Sequence, residues 1–334
     1  ERYATRLDYV RTLCALLRGA GHDADVVLAT LNEDDPEVLK NSDKFEKPDV
    51  REYASALCRV RVTDGGFFGF FGDEKTYFVG TENEYTPLGA TVFVGSDYFD
   101  PETGEFGVVT VPDETFKPFD ACTTEIAVRE NGAVDMTVES VKRGPGVGAF
   151  RKKYAEMLPE DRSRHHQKLL GDIAQAASAT SELETDVGGY PARRRFACYI
   201  PDYATVGGDT ITLQLPSLDC PIPNLTGTVR RSPFAVDASE NEEQVYAVTF
   251  PEGYTEVEHL PEAFGFADPA DQDRLWLEAV TEKSVKDGVL TVKIVRKTHK
   301  RHYSHYDQKW FGLIRDWRRI GLTRANRTIV VRRK

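Results

Sequence analysis

The sequence predicts an α+β protein in three parts, with strands dominating toward the C-terminal end. One observation supports each part. Residues 1–116 open on an amphipathic helix and continue as a strand and a hairpin. Residues 117–226 carry a second hairpin, two helices and two further strands. Residues 227–334 are short β-rich runs closed by a single helix. The breaks fall near Phe116–Asp120 and near the proline-rich stretch Pro216–Pro223. A chain of 334 residues with 40% apolar content is also too long for one ordinary core.

Each element follows from its residue pattern. Leu7, Val10, Leu13, Cys14, Leu16 and Leu17 recur at helical spacing between Arg6 and Arg18, and Gly19 and Gly21 end the helix. Asp25–Leu31 is β-branched and apolar and predicts a buried strand. Asn32 to Pro48 is a polar excursion. Leu57–Thr63 alternates, Asp64-Gly65-Gly66 turns, and Thr76–Gly80 returns as the second arm of a hairpin. The tip of that hairpin carries Phe67, Phe68, Phe70 and Phe71 among glycines. Such a cluster packs on a neighbour or marks a binding surface.

Farther on, Thr123–Arg129 and Val134–Lys142 flank an Asn131-Gly132 turn, a strong hairpin signal. Ala149–Met157 and Pro159–Ala177 read as helices, with Pro159 in a first turn. Strands are expected at Ala192–Ile200, Thr210–Leu215, Gln244–Phe250, Glu256–His259, Arg274–Thr281 and Val289–Lys297, with Asp287-Gly288 turning between the last two. Trp310, Leu313, Ile314 and Trp317 share one stripe of a helix over Tyr306–Ile320, and Thr328–Arg332 is a final strand.

Charge and cysteines bound the function. A net charge of −11 argues against nucleic-acid binding. The basic residues concentrate from Lys293 to Lys334, where only Asp307 and Asp316 oppose them. Attraction between two of the protein's own surfaces, or solvation, accounts for this; a polyanion site is the alternative. No apolar run reaches the length of a membrane span, about 18 residues or more. No signal peptide is visible, and an upstream segment is expected before Glu1. The cysteines are Cys14, Cys58, Cys122, Cys198 and Cys220, with no CxxC pair, so neither zinc nor another cofactor is expected. Buried free thiols are favoured for Cys14 and Cys58, and Cys198 and Cys220 are the nearest pair for a single bridge.

Three segments then carry a resemblance. Arg6-Leu7-Asp8-Tyr9 followed by Cys14-Ala15-Leu16-Leu17-Arg18-Gly19-Ala20-Gly21 resembles the core helix of transglutaminase-like proteins. In that family a catalytic Cys opens the helix, an Asp follows two residues later, and a leucine-rich segment ends it. Tyr77-Phe78-Val79-Gly80 with Tyr85-Thr86-Pro87-Leu88-Gly89 is similar to the strand and turn bearing the family's catalytic Asp. Phe250-Pro251-Glu252-Gly253-Tyr254 with Leu260-Pro261 resembles a C-terminal strand of a bacterial family of unknown function that joins a transglutaminase-like core to β-domains. Arg151, Tyr154, Pro159 and Arg162 fit that family's helical insert.

The resemblance implies a degenerate papain-like core over 1–116, an α+β domain with an inserted helical pair over 117–226, and a mostly β domain over 227–334. It places the catalytic Cys, His and Asp on Arg6, Arg59 and Gly80. Acyl transfer needs a thiolate, an imidazole and an orienting carboxylate. Two permanently protonated arginines and a glycine supply none of these. No histidine lies between Asp23 and Arg164, so a small shift of register does not restore the triad.

The chain is therefore expected to be no enzyme, but a binding or scaffolding module of a bacterial periplasmic, cell-envelope or secreted protein. A peptide or protein segment is the expected ligand. Arg6 and Arg59 form either an anion pocket or internal ion pairs with Asp8 or Glu84. The alternatives are a hydrolase built on other carboxylates and a purely structural linker between β-domains. Three further groups read as bland: Cys58 as a buried thiol, His299, His302 and His305 as an exposed basic turn, and His165-His166 as solvated surface.

Overall fold

The structure is a computed structural model describing residues 5–30, 53–63, 74–81, 83–216, 225, 227, 234–236, 240–268, 275–300, 304–306, 310–324 and 327–334. The phenylalanine cluster Phe67–Phe71, Cys220 and His302 lie outside the described residues. The chain divides into two compact units, Glu1–Pro118 with Arg143–Lys153, and Phe119–Lys142 with Tyr154–Lys334.

The first unit begins with α1 (Arg6–Gly19). Thr5 caps it: its hydroxyl accepts the Asp8 amide proton at 3.2 Å, and the Asp8 carboxylate accepts from the Thr5 amide at 2.9 Å. This capping box satisfies two amides that a helix start leaves open. Thr5→Ala is expected to cost about 1 kcal/mol, read as a lower urea midpoint.

Five strands follow: β1 (Asp23–Ala29), β2 (Ser55–Thr63), β3 (Glu74–Val79), β4 (Asp97–Phe99) and β5 (Phe106–Val108). They form one antiparallel sheet in the order β3-β2-β1-β4-β5. Alternation sorts its side chains. Ala24, Cys58 and Val60 face α1 and pack with Val10 and Cys14. Val27, Ala29 and Leu57 meet Phe78, Phe93 and Val109 in a second cluster. A sheet buried on both faces explains why β1 reads as a nearly continuous apolar run.

The second unit contains β6 (Phe119–Val128) and β7 (Val134–Arg143); the helix α2 (Gly146–Ala155) comes next in the chain and belongs mostly to the first unit, and α3 (Pro159–Ile173) returns to the second. Then come β8 (Ser178–Ala179), β9 (Glu184–Asp186), β10 (Ala192–Ile200), β11 (Thr205–Gly207), β12 (Thr210–Gln214), β13 (Phe234–Val236) and β14 (Glu240–Thr249). The C-terminal elements are β15 (Glu256–His259), β16 (Phe264–Ala267), β17 (Leu275–Lys286), β18 (Val289–Lys300), β19 (Ser304–Tyr306), α4 (Trp310–Arg324) and β20 (Thr328–Arg332).

One nine-stranded sheet runs β16-β17-β18-β14-β6-β7-β10-β8, with β9 also on β10. It crosses residue 226, where a domain boundary is expected from the sequence. The cause is the parallel pairing of β14 with β6, Glu242 opposite Asp120 through Thr249 opposite Ala127, which fuses the expected second and third domains. Two of the three turn signals hold: Gly132 has φ +83° in its loop, and Asp287 and Gly288 have φ of 53° and 74°, as a type I′ turn needs, while Asp64-Gly65-Gly66 lies outside the described residues. Phe264, Leu277, Ala279, Phe311 and Ile314 form a core cluster beneath α4, and Phe266 stacks on Trp317. The basic C-terminal segment is met by acidic partners within this unit. Lys297 on β18 pairs with Glu243 on β14 at 3.6 Å, Arg332 with Glu258 at 2.5 Å, and Arg333 with Glu130 at 2.6 Å.

The histidines depart from expectation. His166 is buried against Phe196 rather than solvated, and burial, with Arg162 nearby, holds its pKa below the usual imidazole value. The His165 ring nitrogen lies 2.9 Å from the Tyr154 hydroxyl. His299 stacks on Trp276. Among the described residues no group of His, Cys, Asp and Glu is arranged to hold a metal ion.

Candidate functional site

The three expected triad positions do not meet at one point. Arg6 projects from the first turn of α1 into a small cavity of about 80 Å³, which it lines together with Ser55, Ala56, Thr81 and Phe93. Ser55 and Ala56 begin β2, and Thr81 follows Gly80 just beyond the end of β3. The Arg6 and Gly80 regions therefore converge, and the β2 residues that join them are Ser55 and Ala56.

Arg59 lies further along β2 in a different setting. It is 7% exposed and directly opposite Asp25 on β1. Its guanidinium donates a two-pronged pair of hydrogen bonds to the Asp25 carboxylate, from Nε at 2.8 Å and Nη2 at 2.7 Å. Nη2 also donates to Asp100 at 2.5 Å, and Nη1 donates to the Tyr98 hydroxyl at 2.9 Å. Asp100 is 1% exposed and accepts further bonds from the amides of Glu102 and Thr103. Burial alone would raise the Asp100 pKa, but those amides and Arg59 outweigh it and hold it below the usual carboxylate value. Arg61 adds bonds to Asp23 at 2.9 Å and Asp25 at 3.2 Å. Gly107 faces Tyr98 so closely that a Cβ there would lie 2.5 Å from the phenol oxygen, so only glycine lets the ring reach Arg59.

Arg59 thus forms internal ion pairs, with Asp25 and Asp100 in place of the expected Asp8 or Glu84. Asp8 serves as the helix cap. The same network bears on carboxylate chemistry: a general acid needs a raised pKa. Of the two carboxylates that converge here, Asp100 is held down and both are engaged by one guanidinium.

Three of the thiols, Cys14, Cys58 and Cys198, are equally withdrawn. Cys14 and Cys58 are 2% and 0% exposed, and burial raises the pKa of both. Burial likewise raises Cys198, to about 11. A nucleophilic thiol needs the opposite environment.

The second unit carries a larger hollow of about 410 Å³ on its main sheet. Its lining includes the small side chains Ala127, Thr137, Ala197 and Ala247 together with Glu125 and Asp135. Asp135 is held by Arg129 through two bonds of 2.7 and 2.8 Å. The signal for this hollow was present as small residues at alternating strand positions, but it becomes visible only once the strands are in register.

No family model matches the chain, and no curated protein matches it. Among solved structures, a protein of Parabacteroides distasonis described as a "putative protease" is similar with a TM-score of 0.43 and 11% identity, over 99% of this chain and 44% of that one. The chain spans less than half the length of that structure, and a likeness at this level carries no argument about fold or activity.

Proposed function

We propose that the first unit is a catalytically inert relative of the transglutaminase-like proteins, kept as a peptide-binding or scaffolding module of a bacterial envelope or secreted protein. The observation that supports this reading is the composition of the Arg6 cavity. It is built where such a core carries its chemistry: a helix N-terminus, the start of one strand and the end of the next. Among the described residues its side chains are Arg6, Ser55, Ala56, Thr81 and Phe93, without a thiol, an imidazole or a carboxylate. On this reading Ser55 or Ala56 takes the His position in place of Arg59, and Gly80 or Thr81 takes the Asp position.

The features that remain serve the helix and the sheet. Asp8 caps α1, and Arg59 holds two strands together. Among the described residues lining the cavity, the groups acyl transfer requires are missing. The cavity offers one exposed guanidinium beside two hydroxyls, a donor set suited to a carboxylate on a peptide side chain or terminus. No helix of the described residues is long and apolar enough to cross a membrane, which is compatible with the location proposed.

The test has two parts. The purified chain is offered glutamine-containing peptides with amine acceptors, and release of ammonia is followed; no turnover is expected. Binding of a library of acidic peptides is then measured, with Arg6→Ala expected to weaken the best binder at least tenfold, about 1.4 kcal/mol. Turnover that survives Arg6→Ala would overturn the inert reading in favour of a hydrolase on other carboxylates. Absence of any binding leaves the linker role.

A further inference from the structure

We infer that Cys14 and Cys58 are the two halves of a structural disulfide that closes when this chain folds in an oxidising compartment. The Sγ atoms lie 2.8 Å apart, one on α1 and the other on β2, in the core that joins helix to sheet. Two unbonded sulfurs do not ordinarily sit so close. They need to approach by less than one ångström to reach the ~2.05 Å of a disulfide. Backbone elements on both sides hold the pair in place. Val26 lies opposite Cys58 across β1 and β2, and the Cys14 thiol donates to the Asp25 carbonyl at 3.3 Å.

Burial decides how the bond forms. Neither sulfur is reachable from solvent, and burial pushes both thiols up in pKa, so attack from the folded state is slow. The bond therefore closes during folding, by exchange with a small-molecule disulfide. One Cys thiolate attacks oxidised glutathione and expels a glutathione thiolate. The second Cys then attacks the mixed disulfide and expels another. The balance is two protein thiols and one oxidised glutathione giving one protein disulfide and two reduced glutathiones. Once closed, the bridge is shielded from reductants by the same burial and ties residues 44 apart in the unfolded chain, a loop long enough for substantial stabilisation. The inference does not depend on the reading of the Arg6 cavity.

The experiment refolds the reduced, denatured full chain in a mixture of reduced and oxidised glutathione. Free thiols are then blocked under denaturing conditions, and peptides are mapped by mass spectrometry. The expected result is a Cys14–Cys58 cross-linked peptide, with a thermal midpoint about 5–15 °C above that of the same protein refolded in dithiothreitol. That difference should vanish in Cys14→Ala/Cys58→Ala. Full blocking of both cysteines in refolded protein overturns the inference, as does pairing of either with Cys122, Cys198 or Cys220. Failure of the oxidised chain to regain native circular dichroism overturns it as well. The wild-type chain carries the decisive readout, so the result stands even if the double variant folds poorly.

Discussion

Replacing Arg59 with leucine is expected to cost the first unit about 3–5 kcal/mol, the loss that follows when a buried ion pair keeps only one of its partners. Leucine fills much of the volume, so the cost is electrostatic. Asp25 and Asp100 would remain in the interior with their shared counter-charge gone, and the Tyr98 hydroxyl would lose its donor. Arg59→Lys should fall between the two, because one ammonium cannot reproduce a fork that reaches Asp25, Asp100 and Tyr98 together. Urea unfolding at neutral pH is the measurement.

Acid should narrow the gap between variant and wild type. In the wild type the folded pKa of Asp100 is depressed. Its contribution is therefore complete above the unfolded value, about 3.9, and is lost as pH falls through the folded value. In Arg59→Leu the guanidinium's share of that depression is gone while the Glu102 and Thr103 amides remain, so the folded pKa of Asp100 rises relative to wild type and acid removes less stability from the variant. A gap that stayed constant from pH ~7 down to pH ~3.5 would show that the cost came from packing.

Gly132→Ala should be the most damaging small change in the second unit, at about 2–4 kcal/mol. Gly132 sits at φ +83° in the β6–β7 loop, a conformation that costs an L residue about 1 kcal/mol. Added to this, a Cβ there would run into the Ala204 carbonyl oxygen. That atom is backbone and cannot swing aside. Relief requires the loop and the 201–204 turn to separate, breaking the bond from the Ala204 amide to the Gly132 carbonyl at 2.8 Å. Differential scanning calorimetry should show the second unit's midpoint lowered by roughly 5–12 °C. Gly208→Ala is the control, since it shares a positive φ of 64° but meets nothing within 4 Å, and it should lose only the conformational part.

The local elements were legible because their signals are local. The stripe Val10, Leu13, Cys14 and Leu17 wrote α1, and the Asn131-Gly132 and Asp287-Gly288 pairs wrote two hairpins. The three-residue strands β4 and β5 were not legible, since three residues are too few to show a period. The β6–β14 pairing was also hidden, because nothing near Asp120 names Glu242 as its partner. Arg59 shows both sides. A charge in the apolar strand β2 and another, Asp25, in the apolar strand β1 were a readable hint of an ion pair. Asp100, the second carboxylate, arrives from a turn that only the fold brings near.

The parallel seam between β6 and β14 also sets the order in which this chain can fold. As the polypeptide emerges from the ribosome, the β6–β7 hairpin is complete long before β14 exists. One flank of β6 must wait for about 120 further residues to be made. Closing so long a loop is entropically slow, and until then β6 shows bare amides and carbonyls to any passing strand. The second unit is thus bound to finish folding late, and a helper that covers that edge during synthesis should raise the yield of native protein more than one acting after release.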